Sequence, residues 1–193
     1  MHDLQLSNAR PVAYSAVREQ VYMVFPNDLN SNNTVFGGLI MAQMDRFAAV
    51  AADRHAGGVC VTASVDAVHF IAPAKGGDVL IFNVSVNRAW RTSMEVGCKV
   101  EAEKIGGGER RHILSAYLTF VAVDPENKPR SIPALVPETE VERHRYEVAE
   151  SRDMLAAFED AGTHTVLPDL RAFPDWFSEH LLGRRERQEL GSR

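Results

Sequence analysis

Long apolar runs are missing from this chain of 193 residues, although 45% of its residues are hydrophobic. A membrane-spanning helix needs a stretch of roughly 18 or more apolar residues, and the sequence has none. Residues 1–5 also lack the basic start and apolar core of a signal peptide. These absences exclude a transmembrane helix and predict a cytoplasmic location.

Cysteine and clustered positive charge are scarce as well. The two cysteines, Cys60 and Cys98, lie in apolar strand-like runs, and neither has a second cysteine or histidine at metal-ligand spacing. This pattern predicts two buried thiols rather than a disulfide or a zinc site, and we expect no metal and no cofactor. The formal net charge of -5, with no basic cluster in the first 140 residues, argues against nucleic acid as a partner.

Segments typical of strands and helices make up most of the chain. Alternating apolar residues predict strands at 19–25, 59–70, 79–87, 92–103 and 112–123, and a helix at 38–55. We expect an α+β hot-dog fold, a five-stranded antiparallel sheet wrapped around one long helix, in which the four later strands form a meander. The predicted boundaries are a lead-in at 1–18, the hot-dog domain at 19–137 and a helical C-terminal extension at 138–193. In that extension a capping box predicts a helix from residue 139 to about 160, and a second helix is predicted at 175–190.

One helical residue is out of place. A stripe of small and apolar side chains along the predicted helix contains an acidic residue at its centre, as Gly38, Met41, Asp45, Ala48 and Ala52 show. An ionised carboxylate is costly in such surroundings, unless Asp45 faces water or pairs with an arginine. Upstream, Gly37 and Gly38 begin the helix, where unpaired N–H groups and the positive helix end stabilise an oxyanion. A carboxylate and an oxyanion site on one helix are typical of a hydrolase.

Several motifs, taken in order, resemble those of a known family. They are Asn30 with Phe36-Gly37-Gly38, Met44-Asp45, residues 61–66, Phe70 with Pro73, Gly77-Asp78, residues 92–96 and residues 122–124. Together with the connector at 133–140 they resemble the hot-dog acyl-CoA thioesterases of the YciA and brain acyl-CoA hydrolase type, over roughly residues 20–150. Residues 160–193 match nothing in that pattern.

The resemblance implies hydrolysis of acyl-CoA to a fatty acid and CoA, with CoA present only as part of substrate and product. It implies that Asp45 and Asn30 are catalytic, together with the oxyanion site at Gly37 and Gly38. Whether Asp45 acts as a general base or as a nucleophile stays open. The resemblance also implies that each site is shared between two subunits, which removes the difficulty that two helical turns put Asp45 about 10 Å from Gly38. The family pattern further implies a trimer of such dimers.

The chemistry of CoA and of an acyl chain suggests further site residues. Phosphate groups favour arginine and hydroxyl partners, and the candidates are Ser64, Arg88, Arg91, Thr92 and Ser93. Candidates for the wall of the acyl tunnel are Met41, Phe47 and Phe70.

Two other functions are compatible with the same fold. A hot-dog hydratase uses a histidine with an acidic partner, and no histidine lies near the Gly37-Gly38 turn. A catalytically silent acyl-CoA or nucleotide sensor would be expected to lack Asp45 or Asn30, and both are present.

Overall fold

A five-stranded antiparallel sheet forms the centre of the structure, a computed structural model that describes residues 8–66 and 68–160. The strands are β1 (Arg10–Pro11), β2 (Val17–Met23), β3 (Cys60–Val65), β4 (Asp78–Ala89), β5 (Ser93–Lys104), β6 (Arg111–Ala122) and β7 (Leu135–Val136). The order in the main sheet is β2-β4-β5-β6-β3, and β1 pairs with β7 in a separate two-stranded parallel sheet. The helices are α1 (Val12–Ser15), α2 (Gly37–Ala56) and α3 (Glu140–Asp160), with a 3-10 turn at Pro26–Asp28.

Helix α2 runs within one residue of the predicted bounds at each end. It ends at Gly57, whose φ of 69° lies in the left-handed region that glycine adopts at little cost. The Gly57 N–H then donates to the Asp53 carbonyl at 2.8 Å and closes the last turn. Since this one long helix lies against a five-stranded antiparallel sheet, the predicted hot-dog fold is confirmed.

The helix packs on the sheet through its small side chains. The residues of α2 that are buried are Ile40, Met44, Ala48, Ala51, Ala52, His55 and Ala56. They pack against the inward-facing residues of β4 to β6, such as Phe82, Val96 and Phe120, which are all fully buried. Alanine at the contact lets the helix approach the sheet closely, and the apolar area removed from water stabilises the fold.

The predicted apolar stripe of α2 needs a correction. Met41 is 42% exposed, whereas its neighbour Ile40 is 1% exposed. The buried face is thus turned towards Ile40 and Met44, because one residue along a helix is a rotation of about 100°. Asp45 consequently lies at the border of the buried face and is partly buried.

The prediction of a four-stranded meander is wrong for its first strand. β4, β5 and β6 are consecutive neighbours, but β3 pairs with β6 at the far edge of the sheet. A tight hairpin needs a connection of two to five residues, whereas residues 66–77 separate β3 from β4 in the sequence. β3 is also shorter than predicted, and because it is an edge strand, Val61 and Val65 remain 45% and 47% exposed.

Helix α3 begins at the predicted capping box. The Glu142 N–H donates to Thr139 Oγ1 at 3.2 Å, and Glu142 Oε2 accepts from the Thr139 N–H at 3.0 Å. The chain divides into units at 1–146 and 147–193, and the predicted helix at 175–190 lies outside the described residues. In the described part of the chain, neither α2 nor α3 has the apolar length of a bilayer crossing.

The cysteine prediction is confirmed for Cys98, a buried free thiol, while Cys60 is free and only partly buried. Burial raises the pKa of each thiol to about 12, with the charge of Asp53 adding to the effect at Cys60. Among residues 8–66 and 68–160, no group of three His, Cys, Asp or Glu side chains is arranged to hold a metal ion.

Two arginines hold the C-terminal end of α2. Arg10 donates from one nitrogen to the carbonyls of Arg54 and His55, both at 2.7 Å, and Arg130 donates to the Ala56 carbonyl at 3.1 Å. Positive charge at this end of a helix is favourable. His55, which is fully buried, lies 3.0 Å through Nε2 from the Pro133 carbonyl.

The burial of His55 predicts a loss of stability in acid. Burial lowers its pKa below the ordinary 6.5, and the nearby Arg10 charge lowers it further. Below pH 6.5 the unfolded chain therefore binds a proton that the folded protein does not, so the free energy of unfolding should decrease as pH falls. The slope is at most about 1.4 kcal/mol per pH unit from this one group.

Urea denaturation at pH 7.5 to 5, followed by tryptophan fluorescence, measures this slope in the wild type, His55→Gln and His144→Gln. The slope should flatten in His55→Gln and stay unchanged in His144→Gln, since His144 is exposed on α3. Equal slopes in all three proteins would contradict the assignment.

Candidate active site

A tight loop at residues 30–34 places Asn30 just before α2. The Asn30 N–H donates to the Thr34 carbonyl at 2.8 Å, and the Asn33 N–H donates to the Asn30 carbonyl at 3.0 Å. Asn33 has a φ of 56°, a left-handed conformation in which asparagine is enriched. The sequence forms this loop because asparagine side chains bond to nearby backbone groups and tolerate such turns.

Two buried carboxylates anchor this loop: one lies just before it in the chain, and the other holds the segment at Lys75 that pairs with Thr34. Asp28 Oδ2 accepts from the Tyr22 hydroxyl at 3.1 Å and from the Phe25 N–H at 2.8 Å. On the other side, Asp78 Oδ2 accepts from the Lys75 N–H at 2.8 Å and from Arg111 at 2.7 Å. Because each carboxylate has at least two donors, its burial is compensated and the loop is held from both flanks.

Gly37 and Gly38 form the first turn of α2, where backbone N–H groups have no partner within the helix. The rings of Phe70 and Phe36 lie over them. A Cβ atom at Gly37 would come within 3.2 Å of the Phe70 ring, and one at Gly38 would collide with the Phe36 ring. Glycine lets both rings lie this close to the start of the helix, and unpaired N–H groups at a helix N-terminus favour negative charge.

Asp45 lies two turns further along α2 and faces β3. Its Oδ1 accepts a hydrogen bond from the Thr62 hydroxyl at 2.7 Å. Neither of the alternatives considered for Asp45, water alone or an arginine, is the contact observed. The carboxylate is held by a hydroxyl of the edge strand, about 10 Å along the helix axis from Gly38.

Thr62 is the residue that sequence reasoning missed. The predicted site contained Ser64, two residues later on the same strand, and left Thr62 without a role. The alternation in the sequence puts Cys60, Thr62 and Ser64 on one face of a strand, but the pairing of β3 with β6 shifts between Thr62 and Ser64. Thr62 therefore lies opposite the buried Phe120 and bonds to Asp45, whereas Ser64 lies on the other face of the sheet.

Four of the predicted CoA ligands, Arg88 and residues 91–93, lie close together along the chain but in different settings. Arg91 and Thr92 form the turn between β4 and β5, where the Trp90 N–H donates to the Ser93 carbonyl at 2.8 Å. Ser93 pairs with Val121 on β6, which pairs in turn with Val61 on β3. Two strand spacings, about 10 Å, therefore separate this turn from the strand that carries Thr62.

Arg88 already has partners within the protomer. Its guanidinium lies 4.2 Å from the centre of the Tyr146 ring and 5.9 Å from that of Trp90, and it donates to the Tyr146 carbonyl at 3.3 Å. A role for Arg88 in CoA binding stays a prediction, and Arg91, which is exposed, is the more accessible of the two arginines.

The three predicted tunnel residues are not in one place. Phe47 packs against Phe82 with ring centres 5.1 Å apart, in the core, and Met41 is exposed on α2. Only Phe70 lines a cavity at the start of α2, with a volume of about 370 Å³. The other residues around it are mostly apolar: Thr34, Val35, Gly37, Ile40 and Ile71 to Ala74.

Comparison with known proteins decides the family. Residues 32–109 match the family model of the thioesterase superfamily. An acyl-CoA thioester hydrolase of Bacillus subtilis, YkhA, which is uncharacterized, is 43% identical over 119 residues, 62% of this chain and 69% of its own. The chain belongs to the thioesterase superfamily.

Solved structures of the family agree with this assignment. A hexameric acyl-CoA thioesterase has a TM-score of 0.77 at 38% identity, covering 81% of this chain and 99% of its own. An acyl-CoA hydrolase from Staphylococcus aureus, in complex with butyryl-CoA and CoA, has a TM-score of 0.74 at 36% identity, covering 79% and 93%.

Variants of the Staphylococcus aureus enzyme have been solved in which one asparagine, one aspartate or one threonine is replaced by alanine. Along that chain the three positions are separated by 15 and 17 residues. Asn30, Asp45 and Thr62 are separated by the same 15 and 17 residues here. The residue types and the spacing therefore coincide.

The contact between Thr62 and Asp45 predicts an effect on thioester hydrolysis. Thr62→Val keeps the shape of the side chain and removes the donor to Asp45, which should reduce kcat about 10- to 100-fold, since a hydrogen bond to a charged group contributes about 1.5–3 kcal/mol. Thr62→Ser retains the hydroxyl and should recover most of the rate. Steady-state release of CoA measures both, and a Thr62→Val protein with wild-type kcat would disprove the contribution.

Proposed function

We propose that this protein hydrolyses acyl-CoA thioesters to a free carboxylic acid and CoA. The observation that carries the proposal is the carboxylate of Asp45, fixed by Thr62 at the open edge of the sheet. A second half-site, made by Asn30 and the N-terminus of α2, lies at the other end of the same helix segment. The spacing shared with the Staphylococcus aureus hydrolase supports the proposal.

The half-site at the start of α2 suits a thioester carbonyl. The N–H groups at Gly37 and Gly38 would donate to the carbonyl oxygen and stabilise the negative charge that develops as the carbon becomes tetrahedral. Removing one such donor typically costs about 2.7–4 kcal/mol of barrier. Asn30 lies beside this turn, where it would position the carbonyl or the attacking water.

Asp45 supplies the basic group. In one route its carboxylate takes a proton from water as the water oxygen attacks the carbonyl carbon, and the C–S bond then breaks to release CoA thiolate. In the other route the carboxylate attacks directly, and water hydrolyses the resulting anhydride. The Thr62 hydrogen bond occupies Oδ1 and leaves Oδ2 for either step.

The two half-sites of one protomer are too far apart to act on one carbonyl. We therefore propose that Asp45 of one subunit works with the Asn30 and Gly37 region of another. The edge strand β3, with Val61 and Val65 exposed, offers a surface for that pairing. Assembly as a dimer, and as a trimer of dimers, is part of the proposal and is supported by the hexameric relative.

The turn between β4 and β5 would bind the CoA phosphates. Arg91 offers charge and Thr92 and Ser93 offer hydroxyl donors, a combination that suits phosphate oxygens. Ser64 lies on the same edge of the sheet as Thr62. The cavity beside Phe70 would receive the start of the acyl chain, since its lining is mostly apolar.

The first test compares the wild type with Asp45→Asn. We expect CoA release from a series of acyl-CoAs by the wild type and a loss of about 100-fold or more in the variant, as for other positioned bases. Asp53→Asn, a second aspartate on the same helix, is the matched control and should retain the activity. If the wild type binds CoA but hydrolyses no acyl-CoA, the proposed hydrolase function is wrong and the protein is an acyl-CoA sensor.

Mixing two inactive variants tests whether the site is shared. Asp45→Asn and Asn30→Ala protomers, unfolded and refolded together in equal amounts, should recover about a quarter of wild-type activity, because each mixed dimer has one intact site. Each variant refolded alone should stay inactive. Absence of any recovery, with mixed oligomers demonstrated by mass spectrometry, would place both residues in a site within one subunit.

A further inference from the structure

The side chain of Asn30 is held in one orientation by its own loop. Its Oδ1 accepts from two backbone donors, the Asn32 N–H at 2.9 Å and the Thr34 N–H at 3.3 Å. An amide nitrogen in that place would face two N–H groups, so these two contacts decide which end of the carboxamide is the oxygen. The Thr34 hydroxyl contacts both ends of the carboxamide: Nδ2 donates to Thr34 Oγ1 at 2.9 Å, and Oγ1 lies 3.2 Å from Oδ1.

This arrangement limits what Asn30 can offer to a substrate. The carboxamide oxygen has two lone pairs, and both are used by the loop. The nitrogen has two hydrogens, of which one is directed to the Thr34 hydroxyl. One N–H therefore remains, and Asn30 can act on a substrate or a water molecule only as a donor.

We propose that Thr34 is a positioning residue that fixes the Asn30 carboxamide so that its one remaining N–H is directed at the substrate. The inference rests on the proposed thioester hydrolysis and narrows the role of Asn30 in it. A single N–H donor suits the thioester carbonyl oxygen or the oxygen of the attacking water. Because the loop uses both lone pairs of Oδ1, Asn30 cannot accept a hydrogen bond or a proton from that water.

Thr34 is itself held in place by a neighbouring segment. It forms an antiparallel bridge with Lys75, and the next residue, Val35, donates from its N–H to the Ala74 carbonyl at 2.8 Å. The Lys75 N–H in turn donates to the buried Asp78 carboxylate, which is paired with Arg111. A hydroxyl fixed through these contacts is a better reference point for Asn30 than one on a loop without support.

Two substitutions separate the hydroxyl from the shape of the side chain. Thr34→Val should lower kcat for acyl-CoA hydrolysis about tenfold with KM changed by less than about twofold, because one hydrogen bond that orients a catalytic group is lost. Thr34→Ser keeps the hydroxyl and should restore most of the rate. A Thr34→Val enzyme with wild-type kcat would overturn the proposal.

A second comparison shows whether Thr34 acts through Asn30. In an Asn30→Ala background, Thr34→Val should cause no further loss of kcat, because the group that it orients is absent. If the tenfold loss persists in that background, Thr34 supports the loop in general and the proposal is wrong.

Crystal structures of the wild type, Thr34→Val and Thr34→Ser give a readout that does not depend on activity. We expect the Asn30 carboxamide to be rotated in Thr34→Val and unchanged in Thr34→Ser. An unmoved carboxamide in Thr34→Val would refute the positioning role. A wild type without hydrolytic activity would refute the proposed function instead, and the crystallographic comparison would still decide on Thr34.

Discussion

The close contact between α2 and the sheet is the constraint on which the other features depend. Ala48, Ala51 and Ala52 are fully buried, and their small side chains let the helix backbone approach the strands closely. A larger side chain there would push the helix outward and shift everything attached to its two ends. Arg10 and Arg130 fix one end, and the loop anchored by Asp28 and Asp78 fixes the other. The position of one helix thus sets both the proposed oxyanion site at Gly37 and Gly38 and the position of the Asp45 carboxylate.

The arrangement also explains why the polar groups of the site are compatible with a stable fold. Asp28 and Asp78 are buried but each accepts at least two hydrogen bonds, so their desolvation is compensated within the protomer. Asp45 is only partly buried and has one such donor, Thr62. The carboxylates that hold the loop each accept two hydrogen bonds at Oδ2, while the one proposed to react accepts one, at Oδ1. Asp28 and Asp78 thus support the fold, whereas Asp45 is the aspartate proposed to take part in the reaction.

Local patterns in the sequence predicted the helices and strands well. Gly57 and the run of helix formers before it determined the bounds of α2, and Asp45 was recognised because a carboxylate is rare among small apolar residues. The place of β3 could not be predicted in the same way, because β3 pairs with β6, which is distant in the sequence, and not with the next strand. Thr62 was missed for a related reason. A hydroxyl on an exposed edge strand is common, and only the fold brings it to Asp45.

The state of Cys60 has a consequence for a protein whose proposed product is a thiol. Cys60 lies two residues before Thr62, close to the proposed chemistry, and a reactive cysteine there would accept acyl groups from the substrate or form mixed disulfides with released CoA. The thiolate is the reactive form, and burial together with Asp53 raises the pKa of Cys60 to about 12. At neutral pH the side chain stays protonated and inert. The burial of the Cys60 thiol thereby limits its reaction with the acyl-CoA substrate and with the released CoA.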